Sequence, residues 1–332
     1  MTRFQAFRIH HDDAGHRAGL ETMDTDALSP GEVLVKAAYS SVNYKDALAG
    51  TGKGRILRRY PLNGGIDVAG HVVASSDPAL KEGDAVLCTG SGMSETRDGG
   101  FAQYARLDAR WTIPLPAGLS LRESMVIGTA GFTAALALLR MQDNRQTPQL
   151  GPIAISGASG GVGQLAIDIF SRAGYEVHAI SGKPDHFDAL RALGAHACID
   201  RHQLDFSDKP MDSARFGGAL DTVGGGMLSG LLPLIHPYGN VALCGNAGGI
   251  AFDSTVMPFI IRGVSLLGVA SAGTARDIRD AIWQHLASDW KPRHLASIAT
   301  DEIALTQLPA TFSRMLAGGA FGRTVVNNTL GR

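Results

Sequence analysis

The segment Ser156-Gly157-Ala158-Ser159-Gly160-Gly161-Val162-Gly163 decides the fold of this 332-residue chain. An apolar run at residues 153–156 leads into it, and a run with helical spacing at 162–172 follows it. Glycines at positions 157, 160 and 163 leave room for a phosphate to approach backbone N–H groups at a helix N-terminus. The segment therefore predicts the pyrophosphate turn of a dinucleotide-binding domain. The alternative is a glycine turn that only packs the helix on the strand.

The chain after this turn continues to alternate between short apolar runs and helical spacing. Strands are predicted at residues 153–156, 175–180, 197–199, 219–223, 240–244 and 266–269, and helices at 162–172, at 186–193 and before His236. Six strands are what two mononucleotide-binding halves require. The prediction for this half is an α/β, Rossmann-type, doubly wound parallel sheet.

The chain before residue 125 is β-rich. Short apolar or alternating runs at 33–37, 68–74, 85–89 and 101–106 are separated by Gly, Pro, Asp and Ser. Closely spaced strands of this kind predict a partly closed barrel or a sandwich. Helical spacing begins at Leu121, so we assign residues 1–124 to a first domain and 125–271 to the Rossmann domain.

The end of the second Rossmann strand carries Ser181-Gly182-Lys183. In NAD-binding relatives of this fold an acidic side chain at this point accepts hydrogen bonds from the ribose. A hydroxyl, a glycine and an ammonium instead suit the 2′-phosphate of NADPH. Asp185 argues against this choice, and a solvated surface role for Lys183 is the alternative.

Composition excludes several classes of partner. The chain has 30 basic and 31 acidic residues, hence a formal charge of -1, which favours neither nucleic acid nor an anionic membrane. No signal-like run occupies residues 1–9, and the apolar stretch 128–141 is shorter than a bilayer span. The cysteines, Cys88, Cys198 and Cys244, are few and dispersed. We therefore expect a soluble protein of the reducing cytoplasm.

Several motifs together resemble one family. The chain is similar to the acrylyl-CoA reductase branch of the quinone-oxidoreductase-like medium-chain dehydrogenases/reductases, over nearly its whole length. The matching segments, besides the glycine turn and 181–183, are residues 40–47, 64–70, 127–133, 255–260 and 322–324. The resemblance implies that the first domain is GroES-like and that residues 272–332 return to it. It also implies a homodimer, for which the apolar segment 264–269 is a candidate edge strand.

The resemblance further implies a zinc-independent enzyme. Zinc-dependent relatives carry a Gly-His-Glu motif where this chain has Gly65-Ile66-Asp67, and a cysteine ligand in the region of Asn43-Tyr44. The implied reaction is NADPH-dependent reduction of acrylyl-CoA to propionyl-CoA by hydride transfer to the β-carbon. An NADPH:quinone oxidoreductase is the alternative enzyme, and a non-enzymatic NADPH-binding protein is a third possibility.

Cofactor contacts follow from the resemblance residue by residue. The implied set is Tyr44, Thr129, Ser159, Gly160, Gly161, Val162, Ser181, Gly182, Lys183, Arg201, Asn246, Ser271 and either Asn327 or Asn328. The proton that completes the reduction comes from Tyr44 or from an ordered water, and we favour a role for Tyr44 in positioning the cofactor. Thr129 has a helix-start role as its alternative, and Arg201 an exposed loop position.

A basic segment lies close in sequence to Tyr44. Its cations are Lys53, Arg55, Arg58 and Arg59. Clustered cations near a predicted active site suit the phosphates of coenzyme A. The alternative is a solvated basic loop.

Overall fold

The computed structural model describes residues 2–206 and 209–330. The chain forms two compact units. The first comprises Met1–Thr129, Ala272–Ala287 and Leu295–Arg332, and the second Ala130–Ser271 and Ser288–His294. The sequence predicts divisions after residues 124 and 271. In the structure the chain enters the second unit after Thr129, leaves it after Ser271, and returns to it once more for seven residues, 288–294.

Eight strands and two helices precede the Rossmann segment. They are β1 (Arg3–Asp12), β2 (Gly15–Asp24), β3 (Val33–Ser41), α1 (Tyr44–Thr51), β4 (Leu62–Asn63), β5 (Asp67–Ser75), β6 (Ala85–Thr89), β7 (Tyr104–Leu107), β8 (Ile113–Pro114) and α2 (Leu121–Asp143).

Strands and helices then alternate up to residue 268. They are β9 (Ile153–Ile155), α3 (Gly161–Arg172), β10 (Val177–Ser181), α4 (Phe187–Ala192), β11 (Ala197–Asp200), β12 (Phe216–Asp221), α5 (Gly225–Leu231), β13 (Ile235–Leu243), α6 (Met257–Arg262) and β14 (Ser265–Gly268).

The remaining elements are mostly helical. They are α7 (Arg276–Ala287), α8 (Leu295–Ile298), β15 (Ala299–Ile303), α9 (Leu308–Leu316) and β16 (Arg323–Asn327). Short 3-10 turns connect elements at Thr25–Ala27, Pro148–Leu150, Pro184–His186, Leu232–Leu234, Ser271–Gly273 and Leu305–Gln307.

The first unit is built on a mostly antiparallel sheet in the order β15-β16-β3-β5-β6-β8, with β7 also paired to β3. A smaller sheet has the order β2-β1-β4. The last strand, β16, pairs with β3, Val325 lying opposite Ser41, so the C-terminal strand belongs to this unit. Phe7, Phe101 and Phe312 pack together in its core, with Phe7 and Phe312 edge to face at 5.7 Å. This is the GroES-like, β-rich unit that the sequence predicts.

The second unit contains a parallel sheet in the order β11-β10-β9-β12-β13-β14. This is the 3-2-1-4-5-6 order of a doubly wound fold, so the predicted fold class is confirmed. Every residue of β9 and β12 is buried, as expected for central strands of a sheet covered on both faces. The strand order reverses between β9 and β12, and ligands of such sheets bind beyond the carboxyl ends of the strands at that point.

Helix α2 is long and apolar enough, by length and composition alone, to cross a membrane. In the described structure 83% of its most apolar window is buried within the protein. Its backbone is also interrupted at Gly128, where φ is 47° and ψ is -156°, so the helical geometry breaks there and restarts. Burial on this scale is typical of a core helix of a globular protein.

Candidate functional site

The glycine turn joins β9 to α3. Gly157 has a φ of 59°, which favours glycine, and a Cβ at Gly163 would lie 2.6 Å from the Cα of Ala158. The turn and the first residues of α3 therefore pack too closely for side chains at these positions. Gly160 is the N-cap of the 12-residue α3, whose first N–H groups have no partner within the helix. This backbone suits the pyrophosphate of a dinucleotide.

A polar corner lies beside this turn, at the carboxyl ends of β9, β10 and β11. The hydroxyl of Ser181 donates to Ser159 Oγ at 3.2 Å and accepts from the N–H of Lys183 at 3.2 Å. The N–H of Arg201 donates to the carbonyl of Ser181 at 3.0 Å. A Cβ at Gly182 would lie 2.9 Å from Cζ of Arg201, so the guanidinium packs directly on this glycine. The structure thus brings together Ser159, Ser181, Gly182, Lys183 and Arg201.

The corner has a cationic character. Lys183 is half-buried, and this burial lowers the pKa of its ammonium group. Arg201 is exposed, as its alternative role predicts, yet its guanidinium lies at the same corner. Asp185 sits in the 3-10 turn Pro184–His186 and is exposed. A doubly charged phosphate bound between the two cations would gain charge-assisted hydrogen bonds. The corner therefore fits NADPH.

Two further predicted contacts lie at the same edge of the parallel sheet. Asn246 follows the end of β13 and is exposed, while its carbonyl accepts from the N–H of Gly249 at 3.1 Å. Ser271 follows β14 and begins the 3-10 turn Ser271–Gly273. Because parallel strands end at one edge, both residues lie on the side of the sheet that carries the glycine turn.

The first unit holds a buried polar cluster centred on Asp67, the first residue of β5. Asp67 Oδ2 accepts from Ser41 Oγ at 2.6 Å and from Asn43 Nδ2 at 2.8 Å. Asp67 Oδ1 accepts from the hydroxyl of Thr129 at 2.5 Å, and the N–H of Thr129 lies 3.1 Å from both carboxylate oxygens. Asp67 therefore caps the part of α2 that begins at Thr129, as the helix-start role of Thr129 predicts.

Arg323 places a positive charge in this cluster. Its guanidinium donates to Ser41 Oγ at 2.6 Å, to Asn43 Oδ1 at 3.1 Å and to the carbonyls of Val42 and Val126. Asp67 Oδ2 lies 3.8 Å from Nη2 of this fully buried side chain. Burial lowers the pKa of Arg323, and the nearby carboxylate opposes that shift. The ion pair is completed by hydrogen bonds, which a buried charge requires.

A second carboxyl group, Asp46, lies beside the first. Asp46 and Asn43 form a capping box at the start of α1, and the N–H of Ile66 donates to Asp46 Oδ1 at 3.0 Å. Burial, reinforced by the charge of Asp67, raises the pKa of Asp46 to about 7. Tyr44 is the first residue of α1, and 43% of it is exposed. The predicted Tyr44 thus lies at the surface, two residues before a buried carboxyl group whose pKa is raised.

Sequence reasoning assigned no role to Asp46, Asp67 or Arg323. The Asn-x-x-Asp spacing of residues 43–46 is a capping-box signal that could have indicated Asp46. Asp67 is a lone acid in the apolar segment 64–70, a pattern that points to a buried partner. Nothing in the sequence indicates that Arg323, more than 250 residues away, is that partner.

The two candidate asparagines near the C-terminus differ in their surroundings. Asn327 uses its whole side chain within the first unit: Nδ2 donates to Glu302 at 2.8 Å, and Oδ1 accepts from Thr329. Asn328 Nδ2 donates to the carbonyl of Gly100 at 3.1 Å, but its buried Oδ1 has no partner among the described residues. Asn328 is therefore the better candidate for a ligand contact.

The four cations of the basic segment also differ in their side-chain partners. Lys53, Arg55 and Arg58 are exposed, and their side chains have no hydrogen-bond or ion-pair partner in the described part of the chain. Arg59 is also exposed, but its guanidinium donates to Ser29 Oγ at 2.8 Å. Three of the four predicted cations are thus available to a ligand.

Within residues 2–206 and 209–330, no three His, Cys, Asp or Glu side chains are arranged to hold a metal ion. At the Gly65-Ile66-Asp67 position, Ile66 is buried and the Asp67 carboxylate is fully engaged by the donors described above.

Comparisons with known proteins agree with both units. A family model described as the alcohol dehydrogenase GroES-like domain matches residues 29–117, and one described as zinc-binding dehydrogenase matches residues 161–288. The putative quinone oxidoreductase YhfP of Bacillus subtilis is 42% identical over 98% of this chain and 99% of its own length. The chain belongs to the medium-chain dehydrogenase/reductase superfamily. The probable acrylyl-CoA reductase AcuI of Escherichia coli is 41% identical over 97% of this chain and 99% of its own length.

Two solved structures are similar to this chain over nearly its whole length. The yhdH oxidoreductase from Salmonella enterica in complex with NADP has a TM-score of 0.93 and 42% identity, covering 97% of this chain and 99% of that chain. The Bacillus subtilis protein yhfP with NAD bound has a TM-score of 0.94 and 42% identity, covering 98% and 100%. The predicted relationship to the acrylyl-CoA reductase and quinone oxidoreductase branch is confirmed.

Gly128 lets the backbone pass directly over the Asp67 cluster. A Cβ at this position would lie 2.7 Å from Asp67 Oδ2 and from Ser41 Oγ, and 2.8 Å from Arg323 Nη2. Its φ and ψ also lie in a region that only glycine adopts without strain.

We predict that Gly128→Ala lowers the free energy of unfolding by about 2 to 4 kcal/mol, because it combines backbone strain with a clash against buried charges. Urea unfolding at neutral pH measures the change. Gly226→Ala is the matched control: Gly226 lies in α5, has no positive φ, and a Cβ there would meet nothing within 4 Å. An equal effect of the two substitutions would contradict the packing described for Gly128.

Proposed function

We propose that this protein is a zinc-independent, NADPH-dependent reductase that converts acrylyl-CoA to propionyl-CoA by hydride transfer to the β-carbon. The observation that carries the proposal is the 41% identity to a probable acrylyl-CoA reductase over nearly the full length of both chains. The polar corner at Ser181, Lys183 and Arg201 supports NADPH as the cofactor. A quinone reductase is the second candidate, favoured by the equally similar YhfP.

Different residues bind different parts of the cofactor. Backbone N–H groups at Gly160, Gly161 and Val162 hold the pyrophosphate, and Ser181, Lys183 and Arg201 hold the 2′-phosphate. NADPH, when bound, supplies the hydride. The family resemblance assigns five further cofactor contacts to this chain: Tyr44, Thr129, Asn246, Ser271 and Asn328.

Hydride addition to the β-carbon moves negative charge onto the thioester carbonyl oxygen, so the chemistry needs a hydrogen-bond donor rather than necessarily a metal. Tyr44, 43% of which is exposed, is a candidate donor in this chain. Asn43 and Thr129 both donate hydrogen bonds to the Asp67 carboxylate, which fixes the start of α1 relative to the point where α2 restarts. Where zinc-dependent relatives carry a histidine and a cysteine ligand, this chain has Ile66 and the Asn43-Tyr44 segment, which offer neither an imidazole nor a thiolate, and this supports zinc independence.

We expect the purified protein to reduce acrylyl-CoA with NADPH with a much higher kcat/KM than short quinones, and to keep this activity in chelator. Initial rates with both substrate classes, before and after dialysis against EDTA, measure this. A large preference for quinones would instead favour the second candidate. Stoichiometric zinc that is required for turnover would overturn zinc independence.

Lys183 is proposed as a principal cause of the preference for NADPH. Because a hydrogen bond to a charged group is worth about 1.5 to 3 kcal/mol, Lys183→Ala should lower kcat/KM for NADPH roughly tenfold to a hundredfold. The value for NADH should barely change, since NADH has no 2′-phosphate. Lys183→Glu should shrink or reverse the preference, because a carboxylate repels the phosphate and can accept from the ribose hydroxyls.

The measurement is kcat/KM for both cofactors in the wild type and both variants at one ionic strength. NADH serves as the internal control for folding and for hydride transfer. A wild type that prefers NADH, or a cofactor ratio that neither variant changes, would show that this corner does not select the phosphate.

We also propose a homodimer of the reducing cytoplasm, without nucleic-acid or membrane partners. Strand β14 is at the edge of the six-stranded sheet, with β13 as its neighbour. Large apolar side chains that precede this strand are exposed: Tyr238 by 76%, Val256 by 65%, Ile260 by 67% and Ile261 by 62%. An edge strand flanked by exposed apolar groups suits pairing with a second copy about a two-fold axis.

Light scattering at micromolar concentration should report a dimer, and the double variant Ile260→Asp, Ile261→Asp should report a monomer because buried charges would oppose the pairing. Leu20→Asp is the control, since Leu20 is an exposed apolar residue of β2 in the other unit. A monomeric wild type would remove the proposal.

A further inference from the structure

The basic segment after α1 is a fixed loop rather than a loose one. Leu57 is 1% exposed in the core of the first unit, and Ile56 and Tyr60 pack against the same core. The N–H of Arg58 donates to the carbonyl of Glu95 at 2.7 Å, and the N–H of Gly54 donates to the carbonyl of Leu48 at 3.2 Å. Apolar anchors inside this short loop leave its cations at the surface.

The start of the loop packs against the β1–β2 hairpin. Gly52, the C-cap of α1, has a φ of 71°, and a Cβ there would lie 2.7 Å from Cγ of His16 on β2. The imidazole Nε2 of His16 lies 3.1 Å from the carbonyl of Gly50 and donates to it. This contact braces the point where the basic segment leaves the helix.

The charges of the loop are not balanced locally. Lys53, Arg55 and Arg58 have no side-chain partner in the described structure, while the neighbouring carboxylate of Glu95 forms an ion pair with Lys45. The formal charge of the whole chain is only -1. Three cations on one anchored loop, without side-chain partners among the described residues, are therefore a local excess of positive charge. Such a site attracts a polyanionic ligand.

Helix α1 sets the spacing between this loop and the Asp67 cluster. Its eight residues begin at Tyr44, next to the cluster, and end at Thr51, next to the loop. At 1.5 Å per residue the two ends are about 12 Å apart. A ligand that occupies both ends therefore needs a reactive group and a polyanionic group joined by a long arm. A coenzyme A thioester has this design, with the thioester and the phosphates at opposite ends of its pantetheine arm.

We propose that Lys53, Arg55 and Arg58 form a subsite for the nucleotide phosphates of a coenzyme A thioester, including its 3′-phosphate. Arg59 holds the loop through Ser29 and is a positioning residue only. The inference rests on the proposed acyl-CoA reductase function. It specifies where on the first unit the non-reacting end of that substrate binds and which cations select it.

The test compares three thioesters: acrylyl-CoA, its 3′-dephospho analogue, and acrylyl-pantetheine, which lacks the nucleotide. In the wild type KM should rise in that order. In the triple variant Lys53→Gln, Arg55→Gln, Arg58→Gln the KM for acrylyl-CoA should rise about tenfold or more, since three partly screened charge contacts are lost. The ratio of the KM values for acrylyl-pantetheine and acrylyl-CoA should therefore fall toward one.

Two controls separate this role from a general charge effect. The triple variant Arg3→Gln, Lys36→Gln, Lys81→Gln removes the same charge from other exposed positions of the first unit and should keep the wild-type ratio. Raising the salt concentration should reduce the advantage of acrylyl-CoA in the wild type but not in the loop variant.

An unchanged ratio in the loop variant, or an equal change in the displaced-charge control, would overturn the subsite. Failure of the wild type to reduce any of the three thioesters would instead overturn the proposed function. Calorimetric titration with coenzyme A distinguishes failure of the subsite from failure of the proposed function. If the wild type binds coenzyme A tightly and the loop variant does not, the subsite is supported even without turnover. Absence of coenzyme A binding to the wild type would overturn it.

Discussion

The first unit depends on one buried carboxylate, Asp67. Four separate parts of the chain donate to it or pair with it: Ser41 at the end of β3, Asn43 at the start of α1, Thr129 where α2 restarts, and Arg323 at the start of β16. A charge buried without such partners would cost several kcal/mol, so the donors and the ion pair must form together with the fold. The same interactions position Tyr44 and Thr129, which the proposed chemistry uses. Stability and function thus share this cluster.

Asp46 is a second buried carboxyl group in this arrangement. Two buried carboxyl groups share the Nδ2 of Asn43, at 3.2 Å from Asp46 and 2.8 Å from Asp67, with Arg323 as the nearby cation. Burial, reinforced by the charge of Asp67, raises the pKa of Asp46 to about 7. The guanidinium of Arg323 and the raised pKa of Asp46 both limit the negative charge of this buried site.

The second unit has a different role in the proposed function, to bind both the pyrophosphate and the 2′-phosphate of one dinucleotide. Parallel strands in the order β11-β10-β9-β12 place the ends of three consecutive βα units next to one another. The glycine turn after β9, Ser181-Gly182-Lys183 after β10 and Arg201 after β11 become neighbours for this reason. The Arg201 guanidinium lies where a side chain at position 182 would otherwise begin, so glycine there allows the close contact. The selectivity proposed for this corner is therefore a property of three loops.

The sequence by itself determined the class of fold and half of the candidate site. Glycine spacing, βα alternation and the residues at the end of the second strand are local patterns, so the pyrophosphate turn and the corner at Lys183 could be predicted without a structure. Local patterns did not indicate the β1–β2 hairpin, because Met23 is the one buried residue of β2 and the strand lacks an apolar alternation. Nor did they separate Arg59, which Ser29 engages, from the three free cations beside it. Only the tertiary structure decided that Asp46, Asp67 and Arg323 share one buried site, because a buried charge is stabilised by partners that the chain brings from distant positions, and sequence spacing carries no record of those contacts.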